Sequence, residues 1–276
     1  MDNRLRSRTI LITGASRGIG REIALKVASL GAHVVIAAKS DTPHPKLPGT
    51  IHSVADEVRA LGAKALAVRL DVRDDASIAE AMEAVRSEFG GLDALVNNAG
   101  AIRLEPAEKL DMKRFDLIHQ INTRAVLAMA KAALPMLKAS SNPHILSLSP
   151  PLNLKPEWLG RYIPYTVTKY GMTLLSLGLA EEFRPYGIGV NTLWPRTTIS
   201  TAAVEFEVGK ELLSRSRRPS IVADAAAVIL QAPAGELTGR TLIDDEVLRE
   251  AGECDFGKYR SGPAGAELAL DLYVDR

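Results

Sequence analysis

The sequence predicts an α/β protein built on one parallel sheet with helices on both faces. Short apolar runs alternate with segments of helical periodicity along the chain, and a glycine-rich turn separates the first run from the first helix. A chain of 276 residues with 46% hydrophobic content is long enough for one large core. No repeat or linker divides it, so we expect a single domain over residues 1–276, with 245–276 as a C-terminal extension.

Seven strands are predicted, at residues 10–12, 33–38, 65–70, 92–96, 144–148, 188–193 and 240–243. Apolar spacing of three and four predicts helices over residues 19–30, 51–61, 74–89, 111–139 and 163–184. This alternation implies right-handed parallel crossovers and a doubly wound sheet. Ligands of such sheets bind beyond the carboxyl ends of the strands, where the strand order reverses.

The glycine-rich turn reads TGASRGIG over residues 13–20. Gly14, Gly18 and Gly20 let the backbone turn tightly and let a pyrophosphate approach the N-terminus of the following helix, which favours negative charge. The turn therefore indicates a dinucleotide site in a Rossmann-type fold. A tight turn without a ligand is the alternative for this stretch alone.

The end of the second strand bears on the choice of cofactor. An acidic residue there would select NAD, but this chain has Ala38, Lys39 and Ser40. Lys39 and Arg17 could flank the 2′-phosphate of the other dinucleotide, so we expect NADP(H) to be preferred over NAD(H). The alternative is that both are ordinary solvated cations.

Tyr165 and Lys169 stand one helical turn apart on the same face. A phenol with a reference pKa of about 10 needs a shift of about three units to act as a base near pH 7. A neighbouring ammonium favours the phenolate, so the pair could perform acid–base chemistry.

These motifs together resemble the classical short-chain dehydrogenase/reductase family over nearly the whole chain. The resemblance is carried by residues 13–20, Asp71 with Val72, residues 97–100, Asn122, Tyr165 with Lys169, and Pro195. It implies that Tyr165 exchanges a proton with the substrate oxygen, and that Asn122 holds a water in a relay to Lys169. The resemblance and the strand ends together suggest which residues contact the cofactor. They are Gly14, Ser16, Arg17, Gly18, Ile19, Gly20, Lys39, Asp71, Val72, Asn98, Ala99, Gly100, Tyr165, Lys169, Pro195 and Thr198. Residues 37–39, 43–47, 149–154 and 193–195 resemble the hydroxysteroid-dehydrogenase-like subgroup, and the chain is expected to stop before the sterol-carrier domain of its longer members.

Two positions depart from the family pattern. Pro150 stands where the catalytic serine is expected, and proline has neither a hydroxyl nor an N–H to donate. Ser149, one residue earlier, is the candidate substitute, and the alternative is that it only caps the end of a strand. Arg196 follows Pro195 where the family has glycine, so the backbone there is expected to differ.

The function predicted is NAD(P)(H)-dependent hydride transfer between nicotinamide and a lipophilic alcohol or carbonyl compound. Several apolar residues are expected to border the pocket: Leu152, Leu154, Trp158, Leu159, Trp194, Phe206, Leu212 and Leu213. The alternative is that these side chains belong to the core or to an interface. Retained Tyr165 argues against the competing function, a catalytically weak or silent NADP(H)-binding sensor or scaffold.

The remaining composition limits the partners. A net charge of +1 gives no reason to expect nucleic acid, and no segment is apolar enough for a membrane span. The single cysteine, Cys254, excludes an internal disulfide, and we expect a cytoplasmic location. The histidines lack the spacing of metal ligands. The leucine-rich helix after Tyr165 predicts packing against its own copy in a homodimer or homotetramer.

Overall fold

Seven parallel strands form one sheet in the computed structural model, which describes residues 5–45, 47–207 and 209–275. The strands are β1 (Thr9–Thr13), β2 (His33–Ala38), β3 (Ala65–Arg69), β4 (Ala94–Asn97), β5 (His144–Leu148), β6 (Gly189–Trp194) and β7 (Thr241–Ile243). Their order is β3-β2-β1-β4-β5-β6-β7. The predicted fold class is confirmed, and the order reverses between β1 and β4.

Core side chains lie on both faces of this sheet, as the continuous apolar strands require. In β1, Ile10 and Ile12 contribute to one core layer and Leu11 to the other. Successive strand side chains point to opposite faces, so each apolar residue of the run is buried. The strand is thereby fixed on both sides, and the turn that follows it is held at one edge of the sheet.

The helices cover both faces. They are α1 (Gly18–Ser29), α2 (Ile51–Ala60), α3 (Asp75–Phe89), α4 (Met112–His119), α5 (Ala125–Leu137), α6 (Pro156–Arg161), α7 (Ile163–Glu182), α8 (Ala202–Glu207), α9 (Ser220–Gln231) and α10 (Asp244–Glu250). Helices α1, α2 and α9 share one core layer with the sheet, and α3, α5 and α7 share the other. Among the residues described, no helix is long and apolar enough to cross a bilayer.

The single helix predicted over residues 111–139 is interrupted. A π-helical turn, Gln120–Arg124, joins α4 to α5 and places Asn122 at its centre, with 1% of the residue exposed. A π-turn carries an extra residue within the helical ladder, which redirects the side chains at that point. The apolar periodicity on either side predicts the helix but does not reveal the extra residue.

The C-terminal extension returns to the sheet after α10. Leu270 pairs with Thr197 in an antiparallel bridge, and the Asp271 amide donates to the Arg196 carbonyl over 2.9 Å. The Trp194 indole Nε1 donates to the Leu272 carbonyl over 3.0 Å. Residues 269–273 thus lie against the carboxyl end of β6, where a ligand of this fold is expected.

Candidate active site

One cavity of about 1460 Å³ opens at the carboxyl edge of the sheet, where the strand order reverses. Of the predicted site residues, those that line it are Gly14, Ser16, Arg17, Gly18, Ile19, Lys39, Asp71, Val72, Asn98, Ala99, Gly100, Asn122, Tyr165, Lys169, Pro195 and Thr198. Gly20 and Ser149 do not. The structure therefore brings residues from seven separate stretches of sequence to one cavity.

The glycine turn forms the floor of one end of the cavity. Gly14 and Gly18 have φ values of +68° and +57°, which L side chains rarely adopt. A Cβ on Gly14 would also lie 2.9 Å from the Ala99 Cα. Helix α1 begins at Gly18, and no side chain among the described residues caps its N-terminus. The turn thus has the close approach and the unpaired helix N–H groups that suit a pyrophosphate.

Thr13 and Asn98 join the glycine turn to the end of β4. Thr13 Oγ1 accepts hydrogen bonds from the amides of Asn98 and Ala99, over 3.0 and 2.9 Å. Asn98 Nδ2 donates to the carbonyls of Thr13 and Gly14, over 2.9 and 3.2 Å. Gly20 belongs to this contact, because a Cβ there would meet the Asn98 amide and the Gly14 carbonyl. Gly20 therefore does not line the cavity, but its lack of a side chain lets the glycine turn pack closely against Asn98.

Arg17 crosses the cavity edge beside the end of β2. Its guanidinium donates to Ser40 Oγ over 2.9 Å and to the carbonyls of Pro48 and Gly49 over 2.9 and 3.2 Å. Burial lowers the pKa of Arg17, although the group stays a cation at neutral pH. Lys46, which the sequence places in the same loop, lies outside the described residues.

Asp71 faces two cations at this end of the cavity. The Arg73 guanidinium, and then Lys39, hold the pKa of Asp71 well below its usual range. Lys39 Nζ lies 3.2 Å from an Asp71 oxygen, but the Lys39 side chain is 62% exposed. Lys39 and Arg17 thus lie on the same rim as Ser40, and Asp71 carries a negative charge beside them.

Tyr165 and Lys169 lie on the first part of α7 and are 4% and 6% exposed. Burial, followed by Tyr273 and Asp271, raises the pKa of Tyr165 well above its ordinary value. Burial lowers the pKa of Lys169 to about 7, against the opposing effect of Asp271. Lys169 Nζ donates to the Leu148 carbonyl over 2.6 Å, which fixes the ammonium at the end of β5.

Asn122 connects α7 to the loop after β4. Its Oδ1 accepts from the Ala101 amide over 2.9 Å, and its Nδ2 donates to the Ala101 carbonyl over 3.1 Å. The same Nδ2 donates to Thr168 Oγ1 over 2.9 Å, next to Lys169. The side chain is therefore fully used in holding three segments of the cavity wall together.

Ser149 departs from the expectation that it reaches the substrate. The residue is 0% exposed, and its Oγ accepts a hydrogen bond from Thr173 Oγ1 over 2.9 Å. Thr173 Oγ1 also contacts the Pro150 carbonyl, at 2.7 Å. The strand alternation turns Ser149 towards α7 and away from the cavity, and Pro150 offers no donor in its place.

The apolar candidates divide between the cavity and its surroundings. Trp194, Phe206 and Leu212 line the cavity, whereas Trp158 and Leu159 pack in an aromatic cluster with Tyr273. Of the others, Leu152 and Leu154 border a shallow surface depression, and Leu213 lies outside the cavity lining. Ile102 and Leu104 also line the cavity.

The sequence interpretation missed the cavity wall formed by Ala269, Leu270, Asp271 and Leu272. Arg196, the second departure from the family pattern, contacts this segment, because its carbonyl accepts a hydrogen bond from the Asp271 amide over 2.9 Å. Its backbone amide donates to Asp244 over 2.9 Å, and its guanidinium pairs with Asp245 over 2.7 Å and with Glu246. Neither Arg196 nor Pro150 lines the cavity itself, and no local pattern in residues 269–272 signals that those residues do.

The chain belongs to the short-chain dehydrogenase family, because the model of that family, described as short chain dehydrogenase, matches residues 8–210. Members of this family are oxidoreductases that bind a nicotinamide cofactor. The predicted family is confirmed.

Individual relatives show which subgroup of the family the chain resembles. Hydroxysteroid dehydrogenase-like protein 2 from Danio rerio is 49% identical over 267 residues, which are 97% of this chain and 64% of that protein. The predicted resemblance to this subgroup is therefore confirmed, and the chain spans 64% of the length of the relative.

Solved structures match over nearly the full chain. A structure from Xanthomonas campestris, described as a dehydrogenase, has 48% identity and a TM-score of 0.95, covering 99% of both chains. A short chain dehydrogenase from Mycobacterium thermoresistibile has 49% identity and a TM-score of 0.93, covering 98% of this chain and 96% of the other.

Proposed function

We propose that this protein is an NADP(H)-dependent oxidoreductase that interconverts a lipophilic alcohol and its carbonyl compound, with Tyr165 as the general acid and base. The observation that carries the proposal is the position of Tyr165 and Lys169, both buried, in the cavity into which the glycine turn opens. A module that only binds a dinucleotide has no need of a buried phenol at this place.

The residues present fit the cofactor. Gly14 and Gly18 leave a cradle that a side chain would fill, and the N-terminus of α1 faces it. Arg17, Lys39 and Ser40 would hold the 2′-phosphate, and Asp71 and Val72 would border the adenine. Asn98, Ala99 and Gly100 would border its ribose, and Pro195 and Thr198 would border the nicotinamide. When bound, the nicotinamide supplies or accepts the hydride.

Side chains of the protein itself would donate and accept the proton of the reaction. Because burial raises the pKa of Tyr165, the phenol is protonated at neutral pH and can donate to a carbonyl oxygen that gains negative charge. For the reverse reaction, Tyr165 must give up its proton, which the charge of Lys169 favours. Asn122 donates to the hydroxyl of Thr168, the neighbour of Lys169, and positions this part of α7, while a water held at Asn122 in a proton relay stays a prediction.

The cavity wall supports a lipophilic substrate. The cavity that Tyr165 lines is also lined by Trp194, Phe206, Leu212, Ile102 and Leu104. Pockets with mostly apolar linings and a few polar groups bind small molecules through burial of apolar surface. Each buried methylene contributes about 0.8 kcal/mol, so turnover is expected to improve with chain or ring size until the pocket is full.

The proposal is tested by NADPH consumption and NADP⁺ reduction on a panel running from short aliphatic carbonyls and alcohols to terpenoids and steroids. Tyr165→Phe removes only the hydroxyl, and we expect kcat to fall by about 10²- to 10⁴-fold while NADPH affinity stays within about threefold. Tyr170→Phe is the matched control, because its hydroxyl donates to the Asn153 carbonyl over 2.6 Å, outside the cavity lining. Tight NADPH binding without turnover on the whole panel would instead support the binding-module function.

We also propose that the protein assembles as a homodimer or homotetramer through α5 and α7. Val167 and Leu174, two turns apart on α7, are 46% and 58% exposed, and Leu127 on α5 is 46% exposed. Of the predicted leucines, Leu179 is already buried within the chain. Exposed apolar residues clustered on two helices favour burial against another copy. Light scattering should give the mass of two or four chains, and the Leu174→Glu variant should give a smaller mass. A monomeric wild type would contradict the assembly.

A further inference from the structure

The polar groups that face the reacting end of the cavity leave one place without a donor. Pro150 has no hydroxyl, and the hydroxyl of Ser149 points to Thr173. Trp194 Nε1 is used by the Leu272 carbonyl. When a hydride reaches the carbonyl carbon, the carbonyl oxygen gains negative charge, and the loss of a hydrogen-bond donor to that oxygen beside Tyr165 costs about 10²-fold or more in rate.

Asp271 opens into the same cavity from the C-terminal wall. Its Oδ1 accepts from the Leu272 amide over 2.7 Å, and Oδ2 has no hydrogen-bond partner among the described residues. The carboxyl is largely enclosed, yet it lines the cavity together with Tyr165 and Lys169. A carboxyl oxygen that is left unpaired at a pocket wall is available to a ligand.

Asp245 provides a comparison within the chain. It is 0% exposed and pairs with Arg196, Arg217 and Arg249 over 2.7, 3.3 and 3.1 Å. Asp271 has no cation within 4.0 Å among the described residues. An enclosed carboxyl without a cation favours its neutral form, and a neutral carboxyl is a hydrogen-bond donor.

We propose that Asp271, as a protonated carboxylic acid, donates a hydrogen bond to the substrate oxygen and so supplies the donor that Pro150 lacks. The inference rests on the proposed function, since it assigns one more catalytic residue to the same reaction. Asp271 keeps its proton throughout: Tyr165 transfers the proton to the substrate oxygen, the hydride goes to the carbon, and the carboxyl only binds the oxygen.

The charged and titratable neighbours agree with a neutral Asp271. Burial, together with Asp244 at the start of α10, raises the pKa of Asp271 to about 7 against the opposing hydrogen bond from the Leu272 amide. Lys169 on α7 opposes this effect, and Tyr165 and Tyr273 are the phenols nearby. Asp271 also raises the pKa of Tyr165, and the two residues line the same cavity. A carboxyl in this state donates well below and near pH 7 and loses its proton above it.

Kinetics of four variants test the inference beside wild type and Tyr165→Phe. Asp271→Asn keeps a neutral donor of the same shape, and kcat should stay within about fivefold. Asp271→Leu removes the donor, and kcat should fall by about 10²-fold while NADPH affinity is unchanged. Asp275→Asn, on the same segment but bonded to Lys155 outside the cavity, should match wild type. Tyr170→Phe, whose hydroxyl donates to the Asn153 carbonyl outside the cavity lining, should also match wild type.

A second readout does not need turnover. In protein with ¹³C-labelled aspartate carboxyls and bound NADP⁺, the resonance that Asp271→Asn removes should titrate near pH 7. A pKa below about 5 would overturn the inference, and so would an Asp271→Leu kcat within about threefold of wild type. Equal loss in Asp271→Asn and Asp271→Leu would overturn it as well. Should wild type turn over nothing on the panel, the proposed function fails, and the titration alone decides the state of Asp271.

Discussion

Asn122 and Thr168 are joined by a 2.9 Å hydrogen bond that links the π-turn after α4 to the helix carrying Tyr165 and Lys169. The same amide group holds both backbone polar groups of Ala101. The bond fixes the position of α7 relative to the loop after β4, and both border the cavity. The first prediction tests this link.

Asn122→Ala should lower the free energy of unfolding by about 1–3 kcal/mol and also lower kcat, because it leaves the Ala101 amide and the Thr168 hydroxyl without their partner. Asn142→Ala is the matched control. Its side chain makes a similar set of bonds to Ala232 and Ala234, far from the cavity. Denaturant unfolding should show a comparable loss for both variants, whereas kcat should fall only for Asn122→Ala. A normal kcat at full NADPH occupancy in Asn122→Ala would refute the link to catalysis.

Gly14→Ala should abolish measurable NADPH binding. The new Cβ would lie 2.9 Å from the Ala99 backbone, so the turn must shift where the pyrophosphate is expected. Gly62→Ala separates this contact from the cost of a positive φ. Gly62 has a φ of +84°, but a Cβ there would meet no described atom within 4 Å. We expect both variants to lose about 1–2 kcal/mol of stability from the left-handed backbone, and only Gly14→Ala to lose binding in a calorimetric titration.

Arg17→Ala should weaken NADPH binding by about 10- to 100-fold, which corresponds to the loss of charge-assisted hydrogen bonds of about 1.5–3 kcal/mol. NADH binding should change by less than about threefold, because that dinucleotide lacks the 2′-phosphate. Arg59→Ala is the control, since this guanidinium donates to the Ala65 carbonyl over 2.9 Å, away from the cavity. Equal weakening of both dinucleotides would show that Arg17 only supports the loop through Pro48 and Gly49.

His144 should make the fold sensitive to acid. Burial lowers its pKa to about 4, so the folded protein keeps the ring neutral, while an unfolded chain protonates it near pH 6.5. Above about pH 6.5 neither state binds the proton and stability is unaffected. As pH falls from about 6.5 to 4, the unfolded state gains protons first, and this group alone lowers stability by up to about 3 kcal/mol. Denaturant unfolding of His144→Gln across this range should show a shallower pH slope than wild type. Identical slopes would contradict the assignment.

The fold was predictable because its strands have a local sequence pattern, a short apolar run followed by turn residues. Ile10, Leu11 and Ile12 must be buried on both faces, and the glycines that follow restrict the chain to a turn. The cavity residues of the glycine turn and of α7 were predictable for the same reason, since their spacing alone sets their geometry. These signals are short in sequence and need no knowledge of distant partners.

Three features were not predictable, and each depends on contacts far along the chain. The π-turn at Asn122 is stabilised by Ala101 and Thr168, which lie outside the periodic pattern of the helix. The orientation of Ser149 depends on Thr173 in α7. Asp271 reaches the cavity only because the Arg196 backbone binds it. Sequence periodicity carries no information about such pairings.

The wall formed by residues 269–273 belongs to no helix or strand of the sheet, and backbone hydrogen bonds to residues 194–198 hold it in place. The floor that would hold the dinucleotide is built separately, by β1, β4 and the turn between β1 and α1. Substitutions in the wall can therefore reshape the substrate end while leaving that floor intact. In related chains, preference for new substrates could diverge through this segment without renewed selection on cofactor binding.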